Sequence, residues 1–334
     1  MREEVLLFGR TRALVGIITD PPHAARRQPL PAVILVNAGL VHRVGPNRLY
    51  VKLARSLAAL GCVVLRFDLS GLGDSTVRDD HLPFGKSAVS ETRAAMDALR
   101  AARGVEHFLL SGLCSGATIS LTAAYGDPRV VGVMPINART HHIASVGEEE
   151  VAGYIRHETA ARSYWTYWKA AVFKTNLWRK AITGHADYGA MVRWTIRTLA
   201  FPLRSTVAWK RVVASQAQHA AADLHALTER GVRVLFVYSA GDPGLDYCRV
   251  MLGNTLRALS PEGKVRVEII PQADHTFTLR RHQDALLHAM CTWVAAMVQD
   301  DGCGARATGH TALERSGCCG ADRGKSRLAQ EAQL

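Results

Sequence analysis

Residues 105–116, VEHFLLSGLCSG, run an apolar β-strand straight into the turn Gly112-x-Cys114-x-Gly116, and few folds accommodate such a junction. A turn this sharp from strand to helix brings backbone against backbone, so the positions two residues either side of its apex must be small. Glycine stands at both. The following segment, Ala117 to Tyr125, opens with small residues suited to close packing on a sheet. The turn therefore predicts a strand–turn–helix unit with the Cys114 side chain raised at its apex. The N-terminal end of that helix would favour a thiolate there, which makes Cys114 a candidate nucleophile. The competing reading is an inert cysteine buried after a strand.

Other strands fall into the same rhythm. Ala32–Asn37, Cys62–Phe67, His107–Ser111, Val130–Ile136, Val232–Tyr238 and Val265–Ile270 are short apolar runs that alternate with helical patterns at Leu49–Leu60, Val89–Arg103, Ala117–Tyr125, Leu245–Ala258 and Gln283–Val298. This alternation predicts a mostly parallel sheet with helices on both faces. Val5–Phe8 and Ala13–Thr19 are expected to add a hairpin at one edge. At 334 residues the chain suits one large domain with an insertion or two modest domains.

The insertion is expected between residues 139 and 230, where two strands are separated by far more than a crossover requires. A first part of the core then covers residues 1–138 and a second 231–299, with a helical cap inserted between them. Residues 300–334, rich in Gly, Ala, Ser and charge, are expected to form a disordered tail. Five of the six tryptophans (Trp165, Trp168, Trp178, Trp194 and Trp209) lie in the cap segment, as does half of the net charge of +12. The tryptophans would either line a pocket for an apolar group or form the cap's own core. The basic excess would serve an acidic substrate, weak association with an anionic surface or simply solvation. A basic surface also suits nucleic acid, but no nucleic-acid partner is the expectation.

Seven scattered cysteines support neither a disulfide framework nor a metal site. The acidic N-terminal MREEVLLFGR does not read as a secretion signal, and no apolar run reaches the roughly 20 residues of a membrane span. A cytoplasmic location is the expectation, with no transmembrane segment.

A nucleophile at Cys114 needs a base, a group to orient the base and amide donors for an oxyanion. His275, in QADHTF after the last strand, is the candidate base. Asp242, ending VRVLFVYSAGD, is the candidate acid, with Asp246 in reserve; Gly-Asp-Pro is also a plain turn signal. The backbone N–H groups of Ser115 and Leu40 are the expected oxyanion donors. Ser115 is a poor nucleophile because it stands one residue off the apex. RFDLSGLGDS, Arg66 to Ser75, lacks the endings of nucleotide-binding loops and is read as a turn in which Asp68 and Asp74 hold backbone amides.

With these residues in view, the chain resembles the α/β-hydrolases, and within them the exosortase A system-associated hydrolases and the serine aminopeptidase-like group. The resemblance rests on Val36 to Ser75 (VNAGLVHRVGPNRLYVKLARSLAALGCVVLRFDLSGLGDS), the elbow SGLCSGA, and the later SAGDPG and ADHTF. It implies an α/β-hydrolase fold with Cys114 as nucleophile, Asp242 as acid and His275 as base. Cysteine in place of the usual serine departs from most of that group and is also found in the dienelactone hydrolases. The implied activity is acyl transfer from an ester or thioester to water or another acceptor, on a small or carrier-bound acyl substrate, with no cofactor or metal. The alternative is a non-catalytic protein of the same fold that binds a ligand or partner.

Overall fold

The computed structural model describes residues 1–23, 30–138, 211 and 213–307, the last ten of these by backbone alone. By internal contacts the chain divides into one unit of Met1–Ala144 with Ala222–Leu334 and another of Ser145–Ala221. The cap expected over 139–230 lies largely outside the described residues, with all five of its tryptophans, and the expected tail is described only to residue 307.

The first unit is built on an eight-stranded sheet. Its strands are β1 (Arg2–Phe8), β2 (Leu14–Asp20), β3 (Ala32–Val36), β4 (Val64–Phe67), β5 (Phe108–Leu113), β6 (Val130–Ile136), β7 (Arg233–Ser239) and β8 (Val265–Ile270), in the spatial order β1-β2-β4-β3-β5-β6-β7-β8. The β1–β2 hairpin is antiparallel, and β2 meets β4 antiparallel; from β4 to β8 every pairing is parallel. Strands covered on both faces carry continuous apolar runs instead of alternation. β3, AVILV, is buried at all five positions.

The α-helices among the described residues are α1 (Leu49–Ala59), α2 (Phe84–Arg103), α3 (Ser115–Tyr125), α4 (213–229), α5 (Pro243–Leu259) and α6 (Arg280–Ala307). On α1 the buried residues Leu49, Tyr50, Leu53, Ala54, Leu57 and Ala58 recur at helical spacing. They pack with Leu286, Met290, Trp293 and Val294 of α6 on alternate sheet residues, including Val33, Leu35, Leu109, Met134, Leu235 and Val237, to form the core of one face.

Two boundaries differ most from the sequence reading. α2 begins at Phe84, five residues before the expected start, directly after Pro83, which stands in extended conformation as its N-cap. It ends at Gly104, whose left-handed φ of 69° lets its N–H return to the Arg100 carbonyl at 2.8 Å. α6 runs on to Ala307, into the segment expected to be disordered. Each residue added to an existing helix gains a hydrogen bond without a new nucleation step, and no proline stops it. Among the described residues, no helix is long and apolar enough to cross a membrane.

The register aligns the carboxyl ends of the parallel strands. Val36 of β3 faces Gly112 of β5, Leu113 faces Ile136 of β6, Ile136 faces Val237 of β7, and Ser239 faces Ile270 of β8. From β3 the chain winds to β4 on one side, then returns to β5 on the other. That reversal opens a crevice at the strand ends, where ligands bind in sheets of this kind.

Candidate active site

Cys114 occupies the turn between β5 and α3 with φ 58° and ψ −115°, a conformation that residues bearing a Cβ seldom adopt. Surrounding bonds hold it there. The Cys114 N–H donates to the Ile136 carbonyl at 2.9 Å, and its carbonyl accepts from the N–H groups of Ala117 and Thr118. The buried Tyr50 hydroxyl donates to the Val36 carbonyl and accepts from the Leu113 N–H, both at 2.8 Å, so one α1 side chain fastens β3 to the entrance of the turn. A Cβ on Gly112 would stand 2.4 Å from the carbonyl carbon of Gly116, and one on Gly116 would stand 2.4 Å from the Asn37 oxygen. The two glycines are therefore required by backbone approach, as the sequence pattern implied.

His275 is carried by the loop between β8 and α6. The Asp274 carboxylate accepts from the Thr278 N–H at 2.8 Å and closes the loop on itself, while the fully buried Phe277 anchors it in the core. Asn137, at the end of β6, donates to the His275 carbonyl at 2.9 Å and to the Ser239 hydroxyl at 2.8 Å, and accepts from the Ser239 N–H at 2.8 Å. This asparagine escaped the sequence reading, since an Asn that ends a strand looks like an ordinary turn residue.

Asp242 is the N-cap of α5, with Pro243 at the first helical position. One carboxylate oxygen accepts from the Gly244 N–H at 2.7 Å and the other is hydrogen-bonded to Nδ1 of His275. The turn reading and the partner reading of Asp242 thus both describe it. Its side chain is wholly buried, whereas that of His275 is 30% exposed. Asp246, the reserve candidate, lies one turn into α5 near Arg249, 3.5 Å away.

The structure brings His275, Asp242 and Cys114 together. The imidazole's pKa is raised to about 9, first by the Asp242 carboxylate, then by its hydrogen bond with Cys114, with burial opposing both. An imidazole with a carboxylate on one side and a sulfur on the other favours its charged form, and an imidazolium in turn favours a thiolate.

The loop after β3 completes the site's rim. A tight turn over Ala38–Val41 is closed by the Val41 N–H on the Ala38 carbonyl at 3.0 Å, and Gly39 takes a left-handed φ of 55°. The amide tied to the elbow is that of Gly39, which donates to Ser115 Oγ at 2.8 Å. Leu40, the residue selected from sequence, follows it with its side chain 88% exposed. Behind this loop, the fully buried Asp68 accepts from the N–H groups of Arg43 and Asp74, as expected of a turn carboxylate, and also binds the Arg43 guanidinium. Asp74, expected to hold a backbone amide, instead pairs with that guanidinium, because Arg43 reaches across from the neighbouring loop.

This sheet, with its elbow after β5 and its acid and histidine after β7 and β8, has the α/β-hydrolase fold. No family model and no curated protein matches the sequence. Among solved structures, the chain is similar to an esterase from Pyrococcus furiosus (TM-score 0.54, 10% identity, covering 88% of this chain and 91% of that one). It is also similar to Est1E from Butyrivibrio proteoclasticus (TM-score 0.51, 11% identity, 88% and 99%) and to an alpha-beta serine hydrolase homologue from Coxiella burnetii (TM-score 0.50, 14% identity, 86% and 96%). At such identities the likeness concerns the fold.

Proposed function

We propose that this protein is an esterase-like hydrolase that works through a covalent acyl-enzyme on Cys114. The observation that carries the reading is the continuous chain of hydrogen bonds from the buried Asp242 through His275 to the sulfur at a strained strand–helix turn. A thiol left inert after a strand has no need of an oriented, charged imidazole.

In the first half-reaction the Cys114 sulfur bonds to the acyl carbon and the carbonyl π pair moves onto oxygen, where backbone N–H groups at the turn receive it. As the C–O or C–S bond to the leaving group breaks, His275 gives its proton to the departing oxygen or sulfur. Asp242 keeps the ring's tautomer and orientation and favours the imidazolium without taking the proton. In the second half, neutral His275 takes a proton from water, the hydroxide adds to the thioester carbonyl, and the carboxylic acid departs as the C–S bond breaks. If an alcohol, amine or thiol replaces water, the same steps transfer the acyl group. A thioester intermediate is itself an activated acyl group, so thioesters and activated esters are favoured over amides. The fold relatives include proteins named as esterases, which agrees with this class. The narrower likeness to exosortase A system-associated hydrolases has its most specific support in the Val36–Ser75 block, and a carrier-bound acyl substrate is suggested by the basic, tryptophan-rich composition of the cap segment.

A panel of acyl thioesters and p-nitrophenyl esters offered to the wild type and to Cys114→Ala tests the proposal by intact mass. The expected result is an acyl adduct on the wild type alone. In parallel, iodoacetamide at pH 6 should alkylate Cys114 at least tenfold faster in the wild type than in His275→Ala, because a free thiol is largely protonated at that pH. Equal, slow alkylation of both would remove the catalytic reading and leave a binding protein with this fold.

A further inference from the structure

Ser115 occupies an unusual place beside the candidate nucleophile. As the first residue of α3 it has an N–H with no acceptor inside the helix, the usual state of a helix start. Its hydroxyl oxygen accepts the Gly39 N–H at 2.8 Å. The loop amide tied to this side chain is that of Gly39, the residue before the expected donor Leu40. Among the described residues the Ser115 hydroxyl accepts that bond and donates to none, which leaves its hydrogen available. The Ser115 oxygen is also distinct from a nucleophile, since the imidazole's hydrogen bond goes to Cys114.

We propose that the Ser115 hydroxyl is an oxyanion donor, acting beside its own N–H and polarised by the Gly39 amide. This rests on the acyl-enzyme reading above. When the Cys114 sulfur bonds to the carbonyl carbon and the π pair shifts to oxygen, the Ser115 O–H hydrogen bond to that oxygen strengthens, and its proton stays on Ser115. A hydroxyl that accepts an N–H is a better donor than one that does not, because hydrogen bonds in a chain polarise one another. The Gly39 amide thus acts on the oxyanion through the serine side chain, beside whatever the Leu40 N–H contributes directly. A site with the amide alone would not require any side chain at position 115.

The test compares the wild type with Ser115→Ala, Ser115→Thr and Ser115→Val, reading acylation by p-nitrophenyl acetate and alkylation by iodoacetamide. Alkylation forms no oxyanion and reports the thiolate alone. The expected result is an acylation rate lowered about 100-fold in Ser115→Ala, with KM and the alkylation rate within twofold of the wild type. Ser115→Thr should recover to within about fivefold, while Ser115→Val, of nearly the same volume but without the hydroxyl, should stay low. That Thr/Val pair also carries the comparison if the alanine variant fails to fold. Acylation at the wild-type rate in Ser115→Ala would overturn the proposal, and so would an equal loss of acylation and alkylation, which would mean that Ser115 only shapes the turn. If the wild type alkylates rapidly but is acylated by no ester, the acyl-enzyme reading falls and this donor with it. A fully active Ser115→Ala removes the donor alone.

Discussion

The imidazole of His275 lies between a buried carboxylate and a sulfur, and its proton is held more tightly in the folded chain than in the unfolded one. Its pKa of about 9 stands above the ordinary 6.5, chiefly because of Asp242. A group whose folded pKa is raised adds stability that is fully present below about 6.5 and is lost as pH rises through about 9. Asp242→Asn keeps an N-cap for α5 but removes the negative partner. The variant should therefore fall furthest below the wild type at pH 6, and the gap should narrow by pH 9.5, as read from urea midpoints. Curves that stay parallel across that range would show that the pair does not hold the proton. Asn137, which fastens the His275 carbonyl to the end of β6, acts at this scale as well, since it sets where the loop carries the ring.

The junction of β5 and α3 depends on two glycines packed against backbone, while other glycines have room around them. A Cβ on Gly116 would come within 2.5 Å of both the Val36 and Asn37 oxygens. Neither is the movable end of a side chain. Gly116→Ala should cost about 2–3 kcal/mol, measured by urea unfolding, and should slow alkylation of Cys114 as the turn shifts. Gly253 lies within α5, and a Cβ there would have no heavy atom within 4 Å. Gly253→Ala should stabilise the protein by about 0.5–1 kcal/mol, because alanine loses less backbone freedom in a helix. Opposite signs for the two substitutions are the check. The result would assign the elbow glycine to close approach and not to helix propensity.

Across the whole molecule, adjacent loops are coupled through buried charge. Asp68 after β4 binds the backbone and guanidinium of Arg43 in the loop after β3, and Asn37 donates to Asp68 and to the Val41 carbonyl and accepts from the Leu69 N–H. Asp68→Ala would leave the Arg43 guanidinium, 17% exposed, with Asp74 as its one acidic partner among the described residues, and should cost about 3 kcal/mol by chemical denaturation, with a matching loss of Cys114 reactivity because the β3 loop is no longer fixed. An unchanged midpoint would show that Asp74 and water suffice for Arg43. The strands and most helices were legible from sequence because strands covered on both faces must be continuously apolar and helices must repeat every three or four residues. Gly112-x-Cys114-x-Gly116 was legible because backbone contact allows only small side chains. Nothing local marked Asn137, Tyr50, Arg43 or the Ser115 hydroxyl, whose partners are remote in the chain; their bonds exist only once parallel strands set their carboxyl ends in one row. Sequence by itself determined the parallel sheet and the sharp turn that raises a sulfur, through periodicity and steric exclusion. Which loop amide meets the elbow, and how an imidazole 161 residues downstream from the cysteine reaches it with its proton retained, was decided by the tertiary structure, because hydrogen-bond geometry depends on where the strands end in space.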